Sequence, residues 1–301
     1  VHFWENNVID ATASSMFGVY YDSNALLKPG AQVKMTGNVV TANPTTYSFH
    51  LYNHGGVLTI DDTNTFNEIF YIFYSASVVG DLVHLKNCQS MNYINIMTGN
   101  GIKITDSSFT FEDTHTLKTY LYFRNHVTNT PITFKNFYTG SAAEFSILFD
   151  HNDDMIGGNL TFDNVTSDAP SNAFTYNPKG GAHTLMQDCK FTKYVVFSAG
   201  HDAAGLVLRR NQFDDYVRIT AASSGVCLTN GATFIADTNR FGRRLEFTSC
   251  PIGDAFLSIV DNWIVSDVCP TGNCHALQFV SARPTNTLIH LESNTITSSI
   301  R

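Results

Sequence analysis

The chain has 301 residues, 43% hydrophobic and only 15% charged, with 18 Lys plus Arg against 26 Asp plus Glu. The apolar content is too high and the charge too low for a disordered chain, and the length supplies enough apolar surface for a real core. A net charge of −8 with no basic run speaks against nucleic-acid binding, and no stretch reaches the eighteen apolar residues of a membrane-spanning helix.

In chain order, one pattern recurs: apolar-x-apolar-x-x-Asn-x-apolar. It is clearest in Val33-Lys-Met35-Thr-Gly-Asn38-Val-Val40, Leu206-Val-Leu208-Arg-Arg-Asn211-Gln-Phe213, Leu257-Ser-Ile259-Val-Asp-Asn262-Trp-Ile264 and Ile289-His-Leu291-Glu-Ser-Asn294-Thr-Ile296. Looser copies centre on Asn7, Asn64, Asn87, Ser107, Asn136, Asn164, Asp188 and Asn239. The twelve anchors lie about 26 residues apart, with steps of 20 to 32. Constant cores separated by variable spacers are strands with loops inserted between them. Within each core the apolar residues alternate with period two, which makes a strand with one buried face. Asn tolerates the left-handed turn and bonds neighbouring backbone through its amide. Repeated strands that end alike therefore predict a parallel solenoid with an Asn ladder formed by Asn7, Asn38, Asn64, Asn87, Asn136, Asn164, Asn211, Asn239, Asn262 and Asn294.

Between anchors lie aromatic-rich strands such as Ser48–Tyr52, Ile69–Phe73, Tyr93–Ile96, Tyr120–Phe123, Tyr194–Phe197 and Tyr216–Ile219. No segment combines helix caps with a 3.6-residue apolar stripe. The expectation is an all-β, right-handed parallel β-helix of about twelve coils, almost free of helix, in which residues 1–301 form a single domain. At ~4.8 Å per coil it would be a rod roughly 55 to 60 Å long.

These twelve repeats resemble the right-handed parallel β-helix class, and are similar to pectate-lyase-like solenoids over the whole chain. Short units, Asn262-Trp-Ile-Val-Ser-Asp-Val-Cys269 with Cys274-His-Ala-Leu277, and Gly18-Val-Tyr-Tyr21 with Gly30 to Asn38, resemble the dispersed-gene-family surface proteins of trypanosomatids. That second resemblance implies a large glycosylated cell-surface protein rather than a pectinase. The chain opens at Val1 without Met, and neither the start at Val1-His-Phe-Trp4 nor the end after Asn294 reads as a cap. The expectation is a mature or excised segment that stacks on neighbouring solenoid segments, or end to end on copies of itself.

Enzymes of this fold carry carboxylates on one face of the coils. Polygalacturonase-like enzymes share an Asn-Thr-Asp, Asp-Asp, Gly-His-Gly, Arg-Ile-Lys series, against which this chain sets Asp153-Asp154, Gly200-His201-Asp202 and Arg218-Ile-Thr220. The first motif, the second Gly and the Lys are absent, so a lyase or hydrolase site at Asp150, Asp153, Asp154, His201 and Arg218 is the alternative reading and polar loops the preferred one. Asp150-His-Asn152-Asp-Asp154 has alternating oxygen donors for Ca2+, but Met155 replaces the loop glycine and Thr161 the bidentate Glu, so no cofactor is expected. Dispersed histidines and the absence of CxxC argue against zinc.

Alternation buries Leu121, Phe123, Val195, Phe197, Val217 and Ile219, and turns Tyr93, Tyr120, Tyr122, Tyr194, Tyr216 and Arg218 outward. Flat phenol rings with polar tips suit a glycan or a protein partner. Six cysteines favour an oxidising compartment: Cys269 and Cys274 could close a short loop, and Cys227 and Cys250, or Cys250 and Cys274, lie one coil apart. Cys88 and Cys189 are too many coils apart to bridge and read as buried thiols. The sequons at Asn159 and Asn164 are candidate glycosylation sites, Asn159 the better acceptor because Asn164 is an anchor. The sequence reading is an extracellular or cell-surface structural or adhesive solenoid.

Overall fold

The computed structural model describes residues 2–10, 17–21, 28–42, 46–53, 55–61, 63–89, 91–141, 144–149, 154–221, 227–265, 275–297 and 299–300. Every strand pairing among them is parallel between consecutive repeats, and no helix occurs among them. The chain is a parallel β-solenoid. Its first face is a 12-stranded sheet that takes one strand from each repeat, from His2–Glu5 through Leu82–Lys86 and Gly205–Arg209 to Leu288–Glu292. We number the coils 1 to 12 by these strands. A short strand after the first corner leads into the second face, built from strands such as Tyr47–Asn53, Met91–Thr98, His115–Phe123 and Val217–Thr220. A third face pairs from Val78–Val79 to Pro284–Thr285. Coils 3 to 11 thus close on all faces, which makes about 9 complete turns where the anchor count predicts twelve.

Period-two alternation sets the core. Val83, Leu85, Phe109, Phe111, Leu206 and Leu208 of the first face, with Leu121, Phe123, Val195, Phe197, Val217 and Ile219 of the second, are fully buried. In-register stacking puts like residues one strand spacing apart. Phe111, Phe134 and Phe162 form one ring stack, with centroids 4.8 and 5.4 Å apart and planes within 13°. Phe191, Phe213 and Phe241 form another, at 5.8 and 5.3 Å.

The first corner carries one left-handed residue in each of the twelve coils, directly after the first-face strand except in coil 3, where Thr63 comes two residues after Asp61. This residue has φ between 48° and 65°, from Asn6 and Gly37 through Asn136, Asp188 and Arg210 to Ser293. A non-glycine residue there costs about 1 to 2 kcal/mol, and the residue that follows offsets it. That following residue points inward and is Asn7, Asn38, Asn64, Asn211, Asn239, Asn262 and Asn294 in the outer coils. Within the two runs, after the first member of each, the Asn oxygen accepts the main-chain N–H and the side-chain amide of the Asn before it, as in Asn7 to Asn38 at 3.0 and 2.9 Å and Asn239 to Asn262 at 2.8 and 2.9 Å, while Asn211 accepts the Cys189 N–H at 2.9 Å. The amide also donates to corner carbonyls, Asn239 to Leu208 at 2.8 Å and Asn262 to Ala236 and Val260 at 2.8 Å.

The ladder differs from expectation in the middle coils. Asn87, Asn136 and Asn164 stand one residue earlier, at the left-handed position, where Asn136 and Asn164 are exposed. There they build an outer ladder: Asn164 donates to Asn136 at 2.8 Å and Asn136 to Asp113 at 2.9 Å. The inward position of coils 4 to 8 is filled by Cys88, Thr114, Phe137, Val165 and Cys189. Ser107 belongs to the other corner, before the first face, where its hydroxyl accepts the Asp81 N–H at 3.0 Å.

Candidate binding face

Outward residues of the second face stack in the same register as the core beneath them. One column runs Tyr20, His50, Tyr71, Asn95, Tyr120 and the next Tyr52, Phe73, Met97, Tyr122. Tyr47 and Tyr93 flank them, with Lys118 opposite Tyr93 on the next coil. The rings touch in two groups, Tyr47 to Tyr71 at 5.3 Å, His50 to Tyr71 at 4.7 Å, His50 stacked on Tyr52 at 5.1 Å and Tyr52 to Phe73 at 5.6 Å in the first, and Tyr120 to Tyr122 at 5.9 Å in the second, with Asn95 and Met97 of coil 4 between them in the columns. Two cations lie on the rings, the Lys118 ammonium 4.5 Å over Tyr93 and the Arg124 guanidinium 4.9 Å over Tyr122. Lys118 also pairs with Glu144 at 3.4 Å, and Arg124 donates to Asn100 at 3.3 Å. Coils 1 to 5 thereby carry one aromatic surface with charged groups at its far edge.

Burial keeps three of these rings neutral. The Tyr71 phenol is pushed up to about 12, chiefly by burial and then by the neighbouring Tyr47 and Tyr52, and Tyr93 is raised by burial and Glu144. Burial lowers the His50 imidazole to about 4. None of these three groups exchanges a proton near neutrality, so they offer ring faces and hydrogen bonds rather than acid-base chemistry.

Tyr93, Tyr120 and Tyr122 lie on this surface, half-buried, while Tyr194, Tyr216 and Arg218 form a separate group in coils 8 and 9. The small outward residues Ser146, Ala173 and Thr175 of coils 6 and 7 divide the two. Tyr194 stacks on Tyr216 at 5.3 Å with planes 5° apart. Arg218 lies 5.0 Å over Tyr216 and pairs with Glu246 at 3.4 Å, and Arg244 pairs with the same carboxylate at 2.8 Å. Tyr20, Tyr47, His50, Tyr52, Tyr71 and Phe73 complete the larger surface and were not among the residues picked from the sequence. The strands that hold them, Tyr47–Asn53 and Ile69–Tyr74, alternate as the others do, and that alternation was the available signal.

Of the residues of the enzymatic alternative, the three that are described, Asp154, His201 and Arg218, are not brought together. Asp154 opens a third-face strand in coil 6 and pairs with Lys179 at 3.0 Å and with His126 at 3.6 Å. His201 points into the core between Pro178 and Leu228 and is fully buried, so Gly200-His201-Asp202 is a strand edge and not an open loop. Arg218 is on the second face. Asp150, Asn152 and Asp153 lie outside the described residues, and among those described no three His, Cys, Asp or Glu side chains group to hold a metal ion.

Cys227 and Cys250, on stacked coils with Cα atoms 4.8 Å apart, form a disulfide. Cys269 and Cys274 lie outside the described residues, and Cys88 and Cys189 are free and buried. Asn159 and Asn164 are both exposed. Compared with protein-family models, with curated proteins and with solved structures, the chain matches none.

Proposed function

We propose that the protein is an extracellular structural or adhesive solenoid whose aromatic second face binds a glycan or a partner protein. The observation that carries this reading is the five-coil surface from Tyr20 to Tyr122, where touching rings present flat faces with hydroxyl tips and two cations at the edge. Such rings cover the C–H face of a sugar while their hydroxyls bond its edge. Tyr side chains also lose little entropy when they are fixed by a partner.

The Cys227–Cys250 disulfide supports an oxidising compartment, and the exposed Asn159 supports a glycoprotein. The short units similar to trypanosomatid surface proteins agree with that setting. The separation of Asp154, His201 and Arg218 favours binding over a polysaccharide lyase or glycoside hydrolase. Alanine at Tyr120 and Tyr122 tests the reading in an adhesion assay on whole cells or immobilised glycans. The double variant should keep its fold and lose most of its attachment; undiminished attachment contradicts the face.

A further inference from the structure

The 18 cations of the chain form no run in sequence, yet the solenoid gathers six of them, Lys190, Lys193, Arg218, Arg240, Arg243 and Arg244, on one corner of coils 8 to 10. The short strands Lys190–Phe191, Gln212–Phe213, Arg240–Phe241 and Trp263–Ile264 pair in sequence, so Lys190, Gln212, Arg240 and Trp263 form one outward column. Beyond the following turn Tyr194, Tyr216 and Arg244 form a second, fixed by the bonds from Val195 N–H to the Tyr216 carbonyl at 3.0 Å and from Val217 N–H to the Arg244 carbonyl at 2.9 Å.

The charges here do not cancel. Arg243 pairs with Asp215 at 3.3 Å, Arg218 and Arg244 share the single carboxylate of Glu246, and Arg210 at the edge closes on Asp188 with bonds of 2.8 and 2.6 Å. Of the remaining carboxylates at this corner, Asp214 accepts from Gln212 at 2.6 Å and Asp261 lies beside Trp263. Among the described residues Lys190, Lys193 and Arg240 have no ion-pair partner, and all three are exposed. The Arg240 guanidinium rests 5.0 Å over the ring of Trp263, which is 48% exposed. A shallow depression lined by Lys190, Arg210, Arg240 and Trp263, with the carboxylates of Asp188 and Asp261, runs along this column. Surplus positive charge therefore sits beside the exposed indole of Trp263, on a molecule whose net charge of −8 disfavours polyanions elsewhere.

We propose that this corner binds a sulfated polysaccharide. Guanidinium forks and ammonium groups match the oxygens of a sulfate ester, and Trp263 offers the stacking face for the sugar that carries it. Single-stranded nucleic acid would use the same elements. The Cys227–Cys250 disulfide joins coils 9 and 10 at the far end of the same second-face strands and supports an oxidising compartment, where extracellular glycans are met. The inference rests on the extracellular part of the proposed function and is independent of the aromatic face of coils 1 to 5.

The test titrates the folded chain with heparin, neutral dextran and a single-stranded oligonucleotide at low and at raised salt. Heparin should bind, weaken as salt rises and outcompete the oligonucleotide, and dextran should not bind at this corner. The exposed pair Lys190→Gln/Arg240→Gln should weaken heparin binding about tenfold or more with an unchanged melting curve, and Trp263→Ala should weaken it separately. Tyr71→Ala/Tyr120→Ala should leave it intact. Absence of heparin binding at low salt, equal binding by the Lys190/Arg240 variant, loss with the Tyr71/Tyr120 variant, or tighter binding of the oligonucleotide each overturns the proposal. Failure with heparin alongside intact attachment through Tyr120 and Tyr122 removes this corner and leaves the aromatic face standing.

Discussion

The side-chain oxygen of Asn239 accepts both the main-chain N–H and the side-chain amide of Asn211, at 2.9 and 3.0 Å, one coil below it. Both residues are buried, so each donor would lose its partner where water cannot replace it. Asn239→Ala should destabilise the fold by about 2 to 3 kcal/mol, measured by denaturant unfolding, and Asn239→Asp by no less, because although it keeps the acceptor it buries a carboxylate against the Leu208 carbonyl and the Asn262 side-chain oxygen to which the amide donated. A loss below half of that would show that the ladder is ornament to a fold held by its apolar core.

The outward charge column of the first face gives a contrasting expectation. Glu112 meets Lys135 at 3.3 Å and Lys86 at 3.9 Å on the adjacent coils. These are partly exposed pairs, so Glu112→Gln should cost less than about 1 kcal/mol and the same unfolding experiment separates the two cases.

His201 is fully buried and, among the described residues, neither ring nitrogen has a hydrogen-bond partner. Burial lowers its pKa from 6.5 to about 3. The unfolded chain therefore binds a proton that the folded chain refuses, and stability falls as the pH drops below the unfolded value. From about pH 8 to about pH 5 this residue alone should remove about 2 kcal/mol. His201→Leu should flatten that part of the pH profile of unfolding, and an unchanged profile would contradict the assignment.

Cys88 and Cys189 occupy inward corner positions that Asn fills elsewhere, and the Cys189 thiol donates to the Gln187 carbonyl at 3.0 Å. Burial pushes the Cys189 thiol up to about 12 and raises Cys88 as well. Neither should react with iodoacetamide in the native protein at neutral pH, and both should react in concentrated guanidinium, as read by peptide mass spectrometry. Reducing the Cys227–Cys250 bond, which closes a segment of 23 residues, should cost about 3 kcal/mol.

The solenoid was legible because its signal is repeated: Leu206, Leu208 and Phe213, like Leu257, Ile259 and Ile264, alternate inward in strands that the next coil must match. The ladder was harder to read. Asn serves at two adjacent corner positions for different reasons, at Asn136 and Asn164 because it tolerates the left-handed turn, and at Asn211 and Asn239 because its amide bonds the coils together. Spacing alone does not separate positions one residue apart. The turn count differs for a related reason, since an anchor marks a first-face strand whether or not the third face is formed behind it.

The candidate face was legible in part. The outward phase of Tyr120 and Tyr122 follows from Leu121 and Phe123, which are buried, but that Tyr93 and Tyr216 do not share one stripe follows from the small residues of coils 6 and 7, which come into view only once the register is known. His201 was misplaced because a Gly-flanked histidine reads as loop when the core column above and below it is not in view. The cationic corner was invisible in sequence, because Lys190 and Arg240 are 50 residues apart there and two coils apart in space.

The most direct measurement for the central claim is a glycan array probed in parallel with the folded chain and with its Tyr71→Ala/Tyr120→Ala variant, each checked for an unchanged β-sheet spectrum. The account predicts selective retention of a subset of unsulfated glycans by the unaltered chain and loss of that retention in the variant. Binding of those unsulfated glycans that survives both substitutions would contradict it.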